Sequence, residues 1–161
     1  MSKGNVEFEN KNVEYYTPKS VVDMFGKFDY DPATTHEMAE VFKVSAWDTI
    51  ETDGLKADWR GFARIWCNPP FNRKHEFWDK ACETYAEVHN DIKFLCPIEF
   101  LTTKRFHDAL IKRGLQVKIY IPSGRIKFKS GVGSNEKSPA FGSVIISPSD
   151  CMGLKLIEIK Y

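Results

Sequence analysis

The sequence lacks the features that mark a membrane, secreted or zinc-binding protein. No apolar run is long enough to span a bilayer, and the opening MSKGNVEFENKNVEYY has no apolar signal-peptide core. The four cysteines, at positions 67, 82, 96 and 151, form no CxxC pair, and the four histidines have no paired spacing. We therefore expect a cytoplasmic protein without a metal site, in which Cys67 and Cys96 are small core residues.

The length of 161 residues suits a single domain with one core. Apolar residues make up 42% and charged residues 28% of the chain, which is ordinary for a globular protein. Twelve phenylalanines and four tryptophans can supply large buried areas. Residues 1–14 are polar and aperiodic. We expect them to form a flexible segment ahead of one domain over residues 15–161.

The net charge of +1 hides an uneven distribution. Residues 1–100 contain twelve Lys and Arg against eighteen Asp and Glu, a net charge of −6, whereas residues 101–137 contain nine against two, a net charge of +7. A basic segment of this kind is typical of a surface that binds a polyanion. The alternative is a solvated helix face that carries Lys104, Lys112 and Arg113. It would explain Arg125, Lys127 and Lys129 less well, because these three lie in a predicted strand and loop.

Helix signals alternate with short apolar runs along the chain. Thr17 followed by Pro18 predicts a helix N-terminus, with threonine as the N-cap. Further helices are predicted from Thr35 to Phe42, from about Lys74 to Val88, and after Thr102 or Thr103. The predicted strands are residues 28–31, 63–67, 92–97, 117–121, 125–128, 141–146 and 154–159. This alternation predicts an α/β fold with a mostly parallel sheet.

The last two predicted strands, residues 141–146 and 154–159, have no helix between them. They are expected to form a hairpin, so that the C-terminal strand is antiparallel at an edge of the sheet. Residues 129–139 are rich in glycine and serine and are expected to form a loop.

The most informative stretch is Asn68-Pro69-Pro70-Phe71, which follows the apolar strand Ile65–Cys67. Proline fixes φ and removes a backbone donor, so the chain must leave the sheet stiffly here. The Asn68 amide oxygen and the Pro69 carbonyl are acceptors, and Phe71 offers an aromatic face. Together they suit a planar ring with an exocyclic amino group. The alternative is that the prolines end the strand and Asn68 caps the next helix.

A second polar side chain, Asp31, ends the first predicted strand. In a doubly wound sheet Asp31 and Asn68 would face the same ligand crevice. A carboxylate there can accept hydrogen bonds from a ribose hydroxyl or an amino group. The pair therefore suggests a nucleoside-like cofactor beside an amine nucleophile.

Several segments in this order resemble the phage-type DNA N6-adenine methyltransferase (Dam) family, over roughly residues 15–146. The segments are Tyr16-Thr17-Pro18, Phe28–Ala33, Asp53-Gly54-Leu55 with Trp59, Asn68–Phe71, Cys96-Pro97, Gly124–Phe128 and Ser138–Ser143. The resemblance implies a Rossmann-like, S-adenosylmethionine-dependent methyltransferase that modifies adenine N6 in DNA. It also implies a phage source and hence the host cytoplasm.

The resemblance implies site residues as well. Asn68, Pro69, Pro70 and Phe71 would be catalytic and would hold a flipped-out adenine. Thr17, Pro18, Asp31 and Asp53 would bind the cofactor, although Thr17-Pro18 could be a plain helix cap and Asp53 a turn former. The phosphate-binding candidates are Arg125, Lys127, Lys129, Lys104 and Arg105.

Two features differ from related methyltransferases. Asp31 is followed by Pro-Ala-Thr-Thr-His, where many relatives have a glycine-rich loop, and Phe71 stands where tyrosine is commoner. The alternatives are methylation of RNA adenine or of a protein glutamine, and a catalytically inactive nucleic-acid-binding module of the same fold. The target sequence and the oligomeric state do not follow from the sequence.

Overall fold

The computed structural model describes residues 16–129, 136–137 and 141–160. The predicted flexible segment, residues 1–14, and most of the predicted loop, residues 129–139, lie outside these ranges. The helices are α1 (Lys19–Asp23), α2 (His36–Phe42), α3 (Lys74–Val88) and α4 (Lys104–Ile111). The strands are β1 (Tyr30–Asp31), β2 (Ala46–Trp47), β3 (Arg64–Cys67), β4 (Asp91–Pro97), β5 (Gln116–Pro122), β6 (Phe128–Lys129), β7 (Glu136–Lys137), β8 (Ser143–Ser149) and β9 (Gly153–Ile157).

Seven of these strands form one sheet in the order β2-β1-β3-β4-β8-β5-β9, and β6 pairs with β7 in a separate ribbon. The pairs β1–β2, β1–β3, β3–β4 and β5–β9 are parallel. Strand β8 is antiparallel to both of its neighbours, β4 and β5. The described elements therefore form a mixed α/β fold around one seven-stranded sheet.

The prediction of a C-terminal hairpin is wrong. Strands β8 and β9 do not pair, because β5 lies between them. The antiparallel strand is β8, inside the sheet, and the last strand β9 is parallel to β5. Strand β8 is buried along its whole length, from Ser143 to Ser149. An apolar strand of this kind gains more from two flanking strands than from an edge position, and this overrides the short connection to β9.

Helices cover both faces of the sheet. Ile65 and Cys67 of β3 point towards a core that contains residues of α3 and α4, whereas Trp66 points towards a core that contains residues of α1 and α2. This alternation follows from the two-residue period of a strand. Cys67, Cys82 and Cys96 are buried, as expected for core cysteines at 67 and 96.

Two of the predicted helix caps are confirmed and one is wrong. Thr35 accepts a hydrogen bond from Met38 N at the start of α2, and Thr103 accepts one from Phe106 N at the start of α4. Helix α1 begins one residue later than predicted, with Pro18 at its N-cap position and no capping side chain. The hydroxyl of Thr17 is therefore not the cap of α1.

The order of the strands creates a crevice at the ends of β1 and β3. From β1 the chain passes through α2 to β2 on one side, and later returns to place β3 on the other side. From β3 it continues away from β1 to β4. Open α/β sheets bind ligands at such a reversal, beyond the carboxyl ends of the strands. Asp31 ends β1 and Asn68 directly follows β3, so both lie there.

Candidate active site

A cleft of about 440 Å³ opens at the carboxyl ends of β1 and β3. Its volume is within the usual range for small-molecule sites. The cleft lining includes seven of the eight residues predicted for catalysis or cofactor binding: Thr17, Asp31, Asp53, Asn68, Pro69, Pro70 and Phe71. Pro18 is buried and is not part of the lining. Segments far apart in sequence therefore meet where the strand ends predicted a ligand site.

Asn68 is held by strand β3 on one side and by the two prolines on the other. Cys67, the preceding residue, is fully buried, and Pro69 is buried as well. The Asn68 side chain donates from Nδ2 to Thr17 Oγ1 at 3.3 Å. The 3₁₀-helix Phe71–Arg73 and helix α3 both begin without a capping side chain. Asn68 is therefore not a helix cap, and the alternative explanation of this asparagine is wrong.

Phe71 forms an exposed aromatic wall of the cleft, with 57% of its surface accessible. The ring of Phe141 lies 5.7 Å from it, centre to centre, and is tilted by 44°. Lys74 Nζ lies 4.3 Å from the centre of the Phe71 ring and donates to the Phe71 carbonyl oxygen at 2.9 Å. An aromatic face that is exposed inside a cleft is available for stacking. The wall suits a planar ligand.

Asp31 is a buried acid at the other side of the crevice, with 2% of its surface exposed. Its Oδ1 accepts a hydrogen bond from Ala33 N at 3.0 Å. Desolvation raises the pKa of Asp31 to about 7, and the bond from Ala33 opposes this only partly. A carboxyl group in this environment gains from any ligand that donates hydrogen bonds to it.

Gly54 provides a close backbone approach beside Asp31. A Cβ at this position would lie 1.9 Å from the carbonyl oxygen of Pro32, so only glycine fits. The Gly54 carbonyl accepts a hydrogen bond from Trp59 Nε1 at 2.8 Å, which holds the turn in place. The segment after Asp31 has no glycine, and here a glycine from a different part of the chain packs against it.

Asp53, next to Gly54, is both a turn residue and part of the cleft. Its backbone is in the left-handed region, with φ of 57°, and its Oδ1 accepts from Leu55 N at 3.1 Å. The same oxygen lies 3.4 Å from Nη1 of Arg73, which is two residues after Phe71, the last of the catalytic candidates. Asp53 is therefore a turn former, as the alternative explanation stated, and it also lines the cleft.

Of the predicted phosphate-binding residues, the four whose side chains the structure describes do not line the cleft. Lys104 and Arg105 begin α4, which follows the carboxyl end of β4, and Arg125 and Lys127 follow the carboxyl end of β5. All four side chains are exposed, and Lys104 forms an ion pair with Asp108. Lys129 is at the end of the described segment. The four described residues thus lie at the end of the sheet where the cleft opens.

Several lining residues were not among the sequence predictions. They include Tyr16, Trp66, Arg73, Lys74 and Phe141. Trp66 points away from the α3 face of the sheet, and no described residue accepts a hydrogen bond from its buried Nε1. Arg73 and Lys74 are two and three residues after Phe71, so their closeness to the motif was the available signal. Phe141 is distant from the motif in sequence, and its signal was its place in the segment Ser138–Ser143 that carries the family resemblance.

In the part of the chain that the structure describes, no group of three or more His, Cys, Asp or Glu side chains could hold a metal ion. None of the helices in residues 16–129 and 141–160 has the length and apolarity needed to cross a bilayer.

Comparisons with known proteins agree with the family resemblance seen in the sequence. The model of the DNA N-6-adenine-methyltransferase (Dam) family matches residues 8–148. A DNA N-6-adenine-methyltransferase of Escherichia phage T1 is 31% identical, in an alignment that covers 71% of this chain and 53% of the phage protein. The chain thus spans about half the length of that relative.

Proposed function

Because the chain belongs to the DNA N-6-adenine-methyltransferase (Dam) family, we propose that it methylates the N6 amino group of adenine in DNA. The methyl donor is S-adenosylmethionine, and the sheet is the core of a Rossmann-like methyltransferase. The observation that carries the proposal is the cleft whose lining brings together Asn68, Phe71 and the buried Asp31. One wall suits an amino-bearing ring, and the other suits a ligand with hydroxyl or amino donors.

Asn68, Pro69 and Phe71 hold the adenine in this proposal. The base must leave the duplex, because its N6 amino group cannot reach a methyl donor bound in the cleft while the base is stacked in the duplex. Phe71 stacks on the ring, which for a base on an aromatic side chain contributes about 1–3 kcal/mol. Pro70 keeps Asn68 and Phe71 in a fixed relation, since both prolines restrict the backbone. Phe141, tilted against Phe71, closes the same side of the pocket.

The amide oxygen of Asn68 and the carbonyl oxygen of Pro69 accept the two N6 protons. These two bonds withdraw the nitrogen lone pair from conjugation with the ring and direct it away from both acceptors. S-adenosylmethionine, when bound, supplies a methyl group on a positively charged sulfur. The protein contributes position and electrostatics, and no covalent bond forms between protein and substrate.

The residues on the Asp31 side fit the cofactor in chemical character. The carboxyl groups of Asp31 and Asp53 can accept hydrogen bonds from ribose hydroxyls or an amino group. Trp66 adds a buried N–H for which no described residue is the acceptor. Met38 and Phe42 of α2 supply apolar lining. We propose Asp31 as the principal cofactor acid and Asp53 as a second contact.

The DNA backbone is proposed to lie across the open end of the cleft, with phosphates near Lys104, Arg105, Arg125, Lys127 and Lys129. These residues follow strand ends that face the same way as the cleft. Phosphate contacts position the duplex without reading its sequence. Target specificity must then come from residues near Phe71 or from segments outside the described ranges.

The test is transfer of labelled methyl from S-adenosylmethionine to unmethylated DNA, with Asn68→Ala in parallel. Label on adenine N6 is expected, and the variant should lose about 10²–10³-fold in kcat while its cofactor affinity stays unchanged. Asn90→Ala is the matched control, because the Asn90 amide binds the Trp59 and Phe62 carbonyls and takes no part in the cleft.

Other outcomes distinguish the alternatives. Cofactor binding without label on DNA would contradict the DNA proposal and point to RNA adenine or a protein glutamine as the substrate. Failure to bind the cofactor at all would contradict the proposal that the protein is an enzyme. A nucleic-acid-binding module would then be the remaining alternative. Equal loss of activity in Asn68→Ala and Asn90→Ala would assign the Asn68 effect to folding.

A further inference from the structure

The partner of the Asn68 amide is a buried threonine from the start of the described chain. Thr17 is 3% exposed, and its Oγ1 accepts a hydrogen bond from Asn68 Nδ2 at 3.3 Å. The two residues are 51 positions apart. The contact therefore joins the segment before α1 to the end of β3 inside the cleft.

An asparagine amide has two ends with opposite hydrogen-bonding character. The oxygen accepts, whereas the nitrogen donates two protons, and the two ends have nearly the same size and shape. For the proposed reaction the oxygen must face the adenine amino group. If the amide rotated by half a turn, its own protons would oppose the N6 protons, and the substrate would lose an acceptor.

The Thr17 hydroxyl can engage the nitrogen end of the Asn68 amide, and Thr17 itself is held by a buried turn. It does not cap α1; instead the Pro18 carbonyl accepts from Val21 N at 3.0 Å and Val22 N at 3.4 Å. Val21 and Val22 are 0% and 2% exposed, which anchors this turn in the core between α1 and the sheet. Because the anchor is buried, Thr17 Oγ1 is kept at hydrogen-bond distance from the Asn68 amide, where it offers a lone pair to Nδ2.

We infer that Thr17 is a positioning residue that engages the nitrogen of the Asn68 amide and thereby presents the oxygen to the adenine amino group. This inference rests on the proposed function. It assigns Thr17 to the substrate half of the cleft, whereas the family resemblance implies a cofactor contact. The two roles predict different kinetic behaviour.

Thr17→Val removes the hydroxyl and keeps the size and branching of the side chain. It should lower kcat roughly tenfold, the effect of one lost hydrogen bond, and leave the dissociation constant of S-adenosylmethionine unchanged. Thr17→Ser retains the hydroxyl and should restore kcat to near the wild-type value. Thr84→Val is the matched control: Thr84 is also buried, but its Oγ1 donates to Lys80 O within α3.

A weaker cofactor affinity in Thr17→Val, with kcat preserved at saturation, would overturn the inference in favour of a cofactor contact. An equal loss of kcat in Thr17→Val and Thr84→Val would also overturn it, because a general loss of stability would then explain both.

A second measurement does not depend on methyl transfer. The side-chain amide protons of Asn68 can be followed by ¹⁵N–¹H NMR and identified by their absence in Asn68→Ala. Thr17→Val should shift the Asn68 amide pair, Thr17→Ser should restore it, and Thr84→Val should leave it in place. An unchanged amide pair in Thr17→Val would contradict the positioning role. If Thr17→Val showed the shift while the wild type methylated no adenine, the proposed function alone would fail.

Discussion

Arg73 and Asp53, both in the lining of the cleft, form an ion pair, with Arg73 Nη1 3.4 Å from Asp53 Oδ1. Arg73 follows the Asn68–Phe71 motif, and Asp53 belongs to the turn that packs on the end of β1. Their ion pair therefore links the proposed substrate side to the proposed cofactor side. Arg73 Nε also donates to Glu76 Oε2 at 2.9 Å, which fixes the guanidinium on the first turn of α3.

Because of this pair, Asp53 and Arg73 should be energetically coupled. In a double-mutant cycle with Asp53→Ala and Arg73→Ala, we expect a coupling free energy of about 0.5–1 kcal/mol in urea unfolding, since both side chains are partly exposed. We expect cofactor affinity to show the same sign of coupling. Strictly additive effects on both stability and cofactor affinity would show that the two residues act independently.

Gly54→Ala should damage the cofactor side of the cleft. The new Cβ would collide with the Pro32 backbone at 1.9 Å, and the clash must displace either the turn or the residue after Asp31. We expect a loss of about 1–3 kcal/mol in urea unfolding together with weaker cofactor binding. Gly61→Ala is the matched control because a Cβ there meets nothing within 4 Å. Similar stability of the two variants would contradict the close packing.

Asp31 should make both stability and cofactor affinity depend on pH. Burial raises the pKa of Asp31 to about 7, so the folded protein binds this proton more tightly than the unfolded chain does. The resulting stabilisation is complete below the unfolded pKa near 4 and is lost as the pH rises towards 7. Relative to Asp31→Asn, the wild type without cofactor should lose thermal stability across this window.

Cofactor binding should show the opposite trend. Hydroxyl and amino donors favour the ionised carboxylate, so the wild-type affinity should increase as pH rises through about 7. Asp31→Asn should bind more weakly and without this pH dependence, as measured by calorimetry over the same range. If cofactor affinity depended on pH in the same way in wild type and Asp31→Asn, Asp31 would not be a cofactor contact.

The basic residues should affect DNA binding through its dependence on salt. Each phosphate contact contributes about 0.9 to the slope of log K against log salt concentration. We therefore expect Lys104→Ala with Arg105→Ala, or Arg125→Ala with Lys127→Ala, to reduce the slope by about 1–2. Lys112→Ala is the control, because Lys112 lies at the other end of α4 and pairs with Asp79 at 2.7 Å. Equal slopes for all variants would place the DNA elsewhere.

The parts of this structure that depend on local chemistry follow from the sequence. Thr35 and Thr103 precede apolar helical patterns and cap α2 and α4. Asp31 and Asn68 end apolar runs, and the rule for open sheets brings them to one crevice. These predictions needed only short-range patterns and a general rule of topology.

The remaining parts depend on contacts between distant segments. No local pattern specifies that β8 lies between β4 and β5, because the short connection to β9 is equally compatible with a hairpin. The pairing of Thr17 with Asn68, and the packing of Gly54 on Pro32, involve segments separated by tens of residues. Their identities are visible in the sequence, but their partners are set only by the assembled sheet.

The position of β8 has a consequence for synthesis on the ribosome. Strands β2, β1, β3 and β4 form one part of the sheet, β5 and β9 form another, and among the described strands β8 alone joins them. Residues 143–149 emerge from the exit tunnel well after β4 and β5. Until then β4 and β5 each present an unpaired backbone edge, which is open to association with other chains. These two edges are covered only when the late central strand β8 takes its place between them.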